Sequence, residues 1–193
     1  MITHLKGKLV EKNPTDVVIE CNGVGYFLNI SLNTYSQIPN QENLLLYTHL
    51  QVKEDSHTLF GFSTKAEREI FRLLISVSGI GASTARTLLS SLDPKQVQEA
   101  IVSEDVALIQ SIKGIGAKTA QRVIIELKDK IVKTYHLDEL SPVKNNTSKE
   151  EALSALEVLG FAKKQAEKEV DKIVRMQPEA TVEDVIKQAL KNL

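Results

Sequence analysis

The chain has no tryptophan, one cysteine, and aromatic residues at only 5% of its 193 positions. A lone cysteine excludes an intramolecular disulfide and a cysteine-rich metal cluster. In VVIECNG, Cys21 reads as a small, half-buried strand residue. The four histidines (His4, His49, His57, His136) are scattered, so the clustered donors of a zinc site are missing. A general single-strand-binding barrel needs exposed aromatic platforms, and the aromatic content argues against one. No run of about eighteen apolar residues is present to cross a bilayer. The amino terminus, MITHLKGKLVEKN, lacks the apolar stretch of a secretory signal. A cytoplasmic protein with no membrane partner, no metal and no cofactor is expected.

What is present is ordinary globular composition, 42% apolar and 25% charged. The net charge of −1 discourages a nucleic-acid partner until it is counted by region. Residues 1–62 hold four Lys/Arg against six Asp/Glu, residues 63–134 eleven against eight, and residues 135–193 nine against eleven. The positive surplus therefore sits in the middle segment, where phosphate neutralisation would be useful.

Residues 1–62 read as β structure: short β-branched runs are broken at Asn13-Pro14, at Asn22-Gly23 and at the polar stretch Lys53-Glu54-Asp55-Ser56-His57. About five strands with no helical interlude suggest a small closed barrel of the OB type. From residue 63 the period becomes helical. Thr64 and Glu67 suggest a capping box before Ile70, Phe71, Leu74 and Ile75. Asp93-Pro94 is an N-cap followed by proline at the first helical position. Ser103 is expected to cap a short helix containing Val106, Leu108 and Ile109, and a final helix is expected from Ala117 to Val132. Residues 135–147 lose periodicity and read as a flexible linker. Residues 148–193 then show three amphipathic helices: one capped by Ser148 and Glu151 and stopped at Gly160, one from Lys163 to Met176 stopped near Pro178, and one capped by Thr181 and Asp184. A bundle this small has little core to spare, and docking suits it better than catalysis.

The middle segment carries a phrase twice, SGIGASTA at 78–85 and KGIGAKTA at 113–120, thirty-five positions apart. Each copy lies between two helical patterns. The dinucleotide fingerprint needs a preceding strand, and the phosphate loop of nucleotidases needs Gly-Lys-Ser/Thr in succession; neither condition is met. What remains is a tandem helix–hairpin–helix. Gly79, Gly81, Gly114 and Gly116 supply tight turns and close approach, and the following helix offers free N–H groups to a phosphate. Ile80 and Ile115 should pin the turns inward. Lys118 and Thr119 add a cation and a hydroxyl, with Arg122 one turn on and Lys113 just before. In the first copy the positions of Lys118 and Thr119 are held by Ser83 and Thr84, and that hairpin is expected to lean on Arg86 one turn later. Such a grip binds the DNA backbone without reading bases.

Barrel, paired hairpins, linker and three-helix tail, in that order, resemble the RuvA family, the Holliday-junction-binding subunits of the bacterial branch-migration machine. The resemblance covers the whole chain. It rests on Val52-Lys53-Glu54-Asp55 with Phe60-Gly61-Phe62, on Ser78-Gly79-Ile80-Gly81, and on Gly114 to Ala120 running on to Arg122 and Glu126-Leu127-Lys128. It implies a non-catalytic homotetramer, one or two per junction, that holds four-way DNA open and nearly planar during recombination and repair in the DNA-damage response. Glu54 and Asp55 would form a central acidic pin that repels phosphates from the crossover. The tail would dock on the RuvB motor, with Val185, Ile186, Ala189 and Leu190 as candidates, and the RuvC nuclease is a further expected partner. One departure is Ser83, where family members often carry a basic residue.

The rival is a hairpin-containing repair enzyme, a glycosylase or nuclease. Asp129, the candidate catalytic aspartate, lies in the charged run KDK and reads as a solvated face. No carboxylates near the hairpins are spaced to converge on a metal.

Overall fold

The computed structural model describes residues 1–39, 43–138, 147–177 and 180–193, which divide into two compact units, Met1–His136 and Leu137–Leu193. The first unit opens with an antiparallel meander of β1 (His4–Lys12), β2 (Asp16–Cys21) and β3 (Val24–Ile30), with Asn22-Gly23 as the turn between the last two. A hairpin of β4 (Asn43–Val52) and β5 (His57–Phe62) completes the sheet. β5 runs parallel to β3 with Leu28 opposite Leu59, and β4 returns to β1, so the five strands close into a barrel in the order β1-β2-β3-β5-β4.

Strand periodicity sends Val17, Ile19, Leu28, Ile30 and Leu46 into the barrel, each nearly or wholly buried. The phrase Phe60-Gly61-Phe62 shows the same alternation in a tight place. Phe60 and Phe62 face outward and stack on Phe71 of the next helix, with ring centroids 5.0 and 4.9 Å away. Gly61 faces inward, where a β-carbon would stand 3.0 Å from Leu28 Cδ2 and 3.1 Å from Leu46 Cδ1. Only hydrogen fits there without displacing the barrel core.

One helix was not expected in this half. Helix α1 (Leu32–Gln37) interrupts the β run between β3 and β4, capped by the Ser31 hydroxyl accepting from the Thr34 N–H. Six residues are too few to show a helical period; the only local cue was the capping serine.

Five more helices follow: α2 (Lys65–Ile75), α3 (Ala82–Ser91), α4 (Pro94–Val102), α5 (Val106–Gln110) and α6 (Ala117–Asp138). Thr64 caps α2 by accepting from the Glu67 N–H, but the expected reciprocal box does not form. The Glu67 side chain turns away into the interior, fully buried, and accepts from Ser31 Oγ and from Thr34 Oγ1 at 2.6 Å. It fastens α2 to the barrel instead of capping its own helix. Asp93 and Gln96 do form a complete capping box at the start of α4. Ser103 ends α4, and Asp105 caps α5 by accepting from the Leu108 N–H. The misplaced cap follows from Glu104, whose positive φ of 58° adds a turn between the helices that periodicity does not reveal. Helix α6 continues six residues beyond Val132, because neither glycine nor proline occurs before Pro142. The remainder of the expected linker, 139–146, lies outside the described residues.

The second unit holds α7 (Thr147–Val158), α8 (Lys163–Met176) and α9 (Val182–Asn192) around Ala152, Leu156, Ala166, Val170, Ile173, Val185 and Ala189. Thr181 caps α9 by accepting from the Asp184 N–H. Helix α7 is already under way at Ser148 and Glu151, so the expected cap position falls inside the helix, whereas the stop at Pro178 lies outside the described residues.

Candidate nucleic-acid interface

The two glycine phrases fold alike. In each, a backbone bond of 3.0 Å closes a four-residue turn, Ile80 N–H to Val77 O in the first and Ile115 N–H to Ile112 O in the second. The third residue of each turn, Gly79 or Gly114, sits at φ 97° or 93°, a region that L side chains avoid. Ile80 and Ile115 are each 5% exposed and hold the turns to the helical core. Helix α3 then starts after Gly81 with no side-chain cap, and the first helical bonds, Ala85 N–H to Gly81 O and Ala120 N–H to Gly116 O, are both 2.9 Å. The N–H groups ahead of these bonds have no intrahelical partner, and Gly81 and Gly116 leave open space beside them. This is the geometry that receives an oxyanion.

The copies also interlock. A β-carbon on Gly79 would stand 3.5 Å from the Thr119 side chain, and one on Gly114 would stand 3.5 Å from that of Thr84. Each hairpin's threonine thus walls the other hairpin's turn. The cross-brace is completed on one side only: Arg122 donates from Nη1 to the Ser78 carbonyl at 3.2 Å. Its counterpart in the first copy, Thr87, donates to its own helix at Ser83 O.

The sites are unequal in charge. Lys113 and Lys118 flank the second turn, both exposed, whereas Ser78 and Ser83 occupy those positions in the first. Arg86, expected to help the first hairpin, is partly committed elsewhere. Its Nη1 donates to Asn29 Oδ1 at 2.8 Å and to the Thr15 carbonyl at 3.2 Å, because one helical turn carries it onto the barrel wall. The Asp16 carboxyl close by is held below its usual pKa chiefly by hydrogen bonds from Asn13 and Thr15, with the Arg86 charge adding to them.

Glu54 and Asp55 occupy the exposed tip of the β4–β5 hairpin. Lys53 N–H donates to Ser56 O at 2.8 Å, closing the turn beneath them, and Ser56 Oγ donates to Asp55 Oδ1. Among the described residues, no group of three or more His, Cys, Asp and Glu side chains is gathered as a metal site. Asp129 lies on the solvent side of α6.

In the second unit the expected docking face needs correction. Val185 and Ala189 are fully buried in the bundle core and cannot meet a partner. Three short helices have so few apolar residues that the best-spaced ones are used inside. Ile186 is half-buried and Leu190 is exposed. The open apolar surface lies at the end of α7, where Val158 is 85% exposed; with Ala155, Leu159 and Ile186 it lines a shallow apolar depression. Leu159 lies just past the last residue of α7 and stays exposed, and Gly160, at φ 97°, turns the chain directly after it.

Three family models match the chain in succession: the RuvA N terminal domain over residues 1–61, the SAM-like helix-hairpin-helix tandem over 71–129, and the RuvA C-terminal domain over 148–193. The chain is similar along its full length to curated proteins named Holliday junction branch migration complex subunit RuvA. It is 67% identical over 193 residues to that of Christiangramia forsetii and 65% identical over 193 residues to that of Flavobacterium psychrophilum, covering 100% of both chains in each comparison. Against the protein of Chloroherpeton thalassium the identity is 40% over 198 residues, covering 100% of this chain and 99% of the relative. With a closed five-stranded barrel, tandem hairpins and a three-helix tail all matched in order, the chain belongs to the RuvA family.

Proposed function

We propose that the protein binds four-way DNA junctions through backbone contacts from both hairpins, holds them open and nearly planar, and presents them to a separate ATP-driven motor. The observation that carries this is the reciprocal seating of Thr84 and Thr119 against Gly114 and Gly79. It holds two uncapped helix starts in one frame, and we assign one to each strand of a duplex arm. Gly79, Gly81, Ser83 and Thr84 would serve one phosphate site, and Lys113, Gly114, Gly116, Lys118 and Thr119 the other. Arg122 braces the first turn through the Ser78 carbonyl, and Arg86 is held against the barrel by Asn29 and Thr15, so each would add charge from a fixed position.

Four copies around a fourfold axis would give each arm one hairpin pair. Val10, Val24 and Phe27 on the barrel's outer face, each more than half exposed, support burial against a second copy. The Glu54–Asp55 tips would then gather at the crossover and repel phosphates from it. The apolar depression of Ala155, Val158, Leu159 and Ile186, extended by Leu190, is the surface we assign to a RuvB-type motor, and a RuvC-type nuclease is a further partner. The subunit itself does no chemistry.

The test is a gel-shift competition at moderate salt between a synthetic four-way junction and linear duplex of matched length. Strong preference for the junction, independent of sequence, is the expected result. Equal affinity for both would overturn the proposal.

A further inference from the structure

The hairpins' unequal charge raises the question of how the first one holds a phosphate without a lysine of its own. An open groove runs between the first hairpin and the barrel. Gly81, Ser83 and Arg86 line one side, and Gln51, Lys53 and Thr58 of the β4–β5 hairpin line the other. Among the described residues no carboxylate lines this groove, although Glu54 and Asp55 directly follow Lys53 in the chain. Arg86 spends one nitrogen on Asn29 and Thr15, and its charge is offset by nearby Asp16. Lys53 is exposed and has no ion pair with any described residue.

We propose that this groove seats the sugar–phosphate backbone of a DNA strand leaving the crossover, and that Lys53 supplies from the barrel the charge that Ser83 does not. The proposal deepens the junction-binding function and rests on it. The groove's polar groups match a phosphate: the Lys53 ammonium, the Thr58 and Ser83 hydroxyls, the Gln51 amide and the uncapped N–H groups of α3 are all donors. The sign of charge reverses within three residues. Lys53 draws a strand into the groove, while Glu54 and Asp55 push it from the centre. The second hairpin, with Lys113 and Lys118 beside its own turn, needs no such loan.

The experiment measures junction affinity against salt concentration for the full-length protein and for Lys53→Gln, Ser83→Lys, the double variant and Lys118→Gln. Lys53→Gln should weaken binding and flatten the slope of log K against log salt by about one unit per protomer bound. Ser83→Lys should restore affinity in the Lys53→Gln background far more than it improves the parent. An unchanged slope for Lys53→Gln, or an equal gain from Ser83→Lys in both backgrounds, would overturn the proposal. If Lys118→Gln flattens the slope and Lys53→Gln does not, the groove is wrong and the hairpin function stands; if neither does, both fall. Repeating Lys53→Gln in a Glu54→Gln, Asp55→Asn background should preserve its effect. Loss of the effect there would assign Lys53 to screening the tip and would also overturn the proposal.

Discussion

Glu67 is a charged residue with no solvent contact, and its surroundings explain why it is tolerated. A buried carboxylate must be met by donors, and Ser31 and Thr34 on the barrel side supply them, with the Ser63 hydroxyl at 3.4 Å. Thr34 is itself bonded, through its hydroxyl, to the Ser63 N–H at 3.1 Å. Glu67→Ala should strand these hydroxyls and cost about 1–3 kcal/mol or more, read as a lowered urea midpoint. Glu67→Gln, which keeps an acceptor, should cost less. A cost near zero for the alanine variant would mean that water substitutes fully. In the sequence this residue looked like half of a capping box, and nothing local distinguished the two uses. The serine and threonine it meets lie more than thirty residues away.

His49, on β4, rests its ring against Phe71 at 5.5 Å, and its Nδ1 is buried without a hydrogen-bond partner among the described residues. Burial, followed by the Arg72 and Arg68 charges, holds its pKa below the ordinary 6.5, with Glu69 opposing. The folded state therefore binds this proton less readily than the unfolded chain, so stability falls as pH drops through about 6.5. His49→Gln should remove part of that decline. Urea unfolding at pH 7.5 and 5.5 should show a smaller loss for the variant than for the parent, and equal losses would overturn the assignment.

At the scale of elements, the hairpin turns were the most legible feature. Small residues repeated at fixed spacing identify both copies, and Ile80 and Ile115 pack inward in both. The meeting of the copies was not legible, because the wall against Gly79 comes from Thr119, forty positions along the chain. Gly79→Ala and Gly114→Ala should each cost roughly 1–2 kcal/mol for a side chain in the left-handed region. Each should also weaken junction binding by shifting its own strained turn, since the added β-carbon meets the opposite threonine only at ordinary contact distance. The check is thermal unfolding together with junction affinity: a loss of stability with unchanged affinity would separate the turns from DNA binding. Helix α1 was not legible because it is too short to carry a period, and the Asp105 cap was not because the turn at Glu104 leaves no sequence signal.

For the whole molecule, regional charge was more informative than the total. A net of −1 conceals a surplus of cations on the hairpin segment, which is where a polyanion would lie. Chain order also separated the tail from the rest, although its outward face was misjudged: amphipathic spacing identifies a packed face, and Val185 and Ala189 proved to be that face. Removing residues 148–193 should leave junction binding within about twofold, since no phosphate contact is assigned there, while abolishing stimulation of the motor's ATPase on junction DNA. Val158→Asp, on the exposed rim, should reproduce the second effect without unfolding the bundle. Retained stimulation in both would place the docking surface elsewhere.

The interlocked hairpins also bear on how the two copies have drifted apart. Across 78–85 and 113–120, Gly, Ile, Gly, Ala, Thr and Ala are identical, and the only differences are Ser78 against Lys113 and Ser83 against Lys118. All four differing residues are exposed. A change at either threonine disturbs the other copy's turn, so neither copy can vary alone at the contact, and divergence is confined to positions that face outward. The shared frame thus acts as a constraint on history. It keeps the two turns alike in backbone form while leaving their charge free to differ.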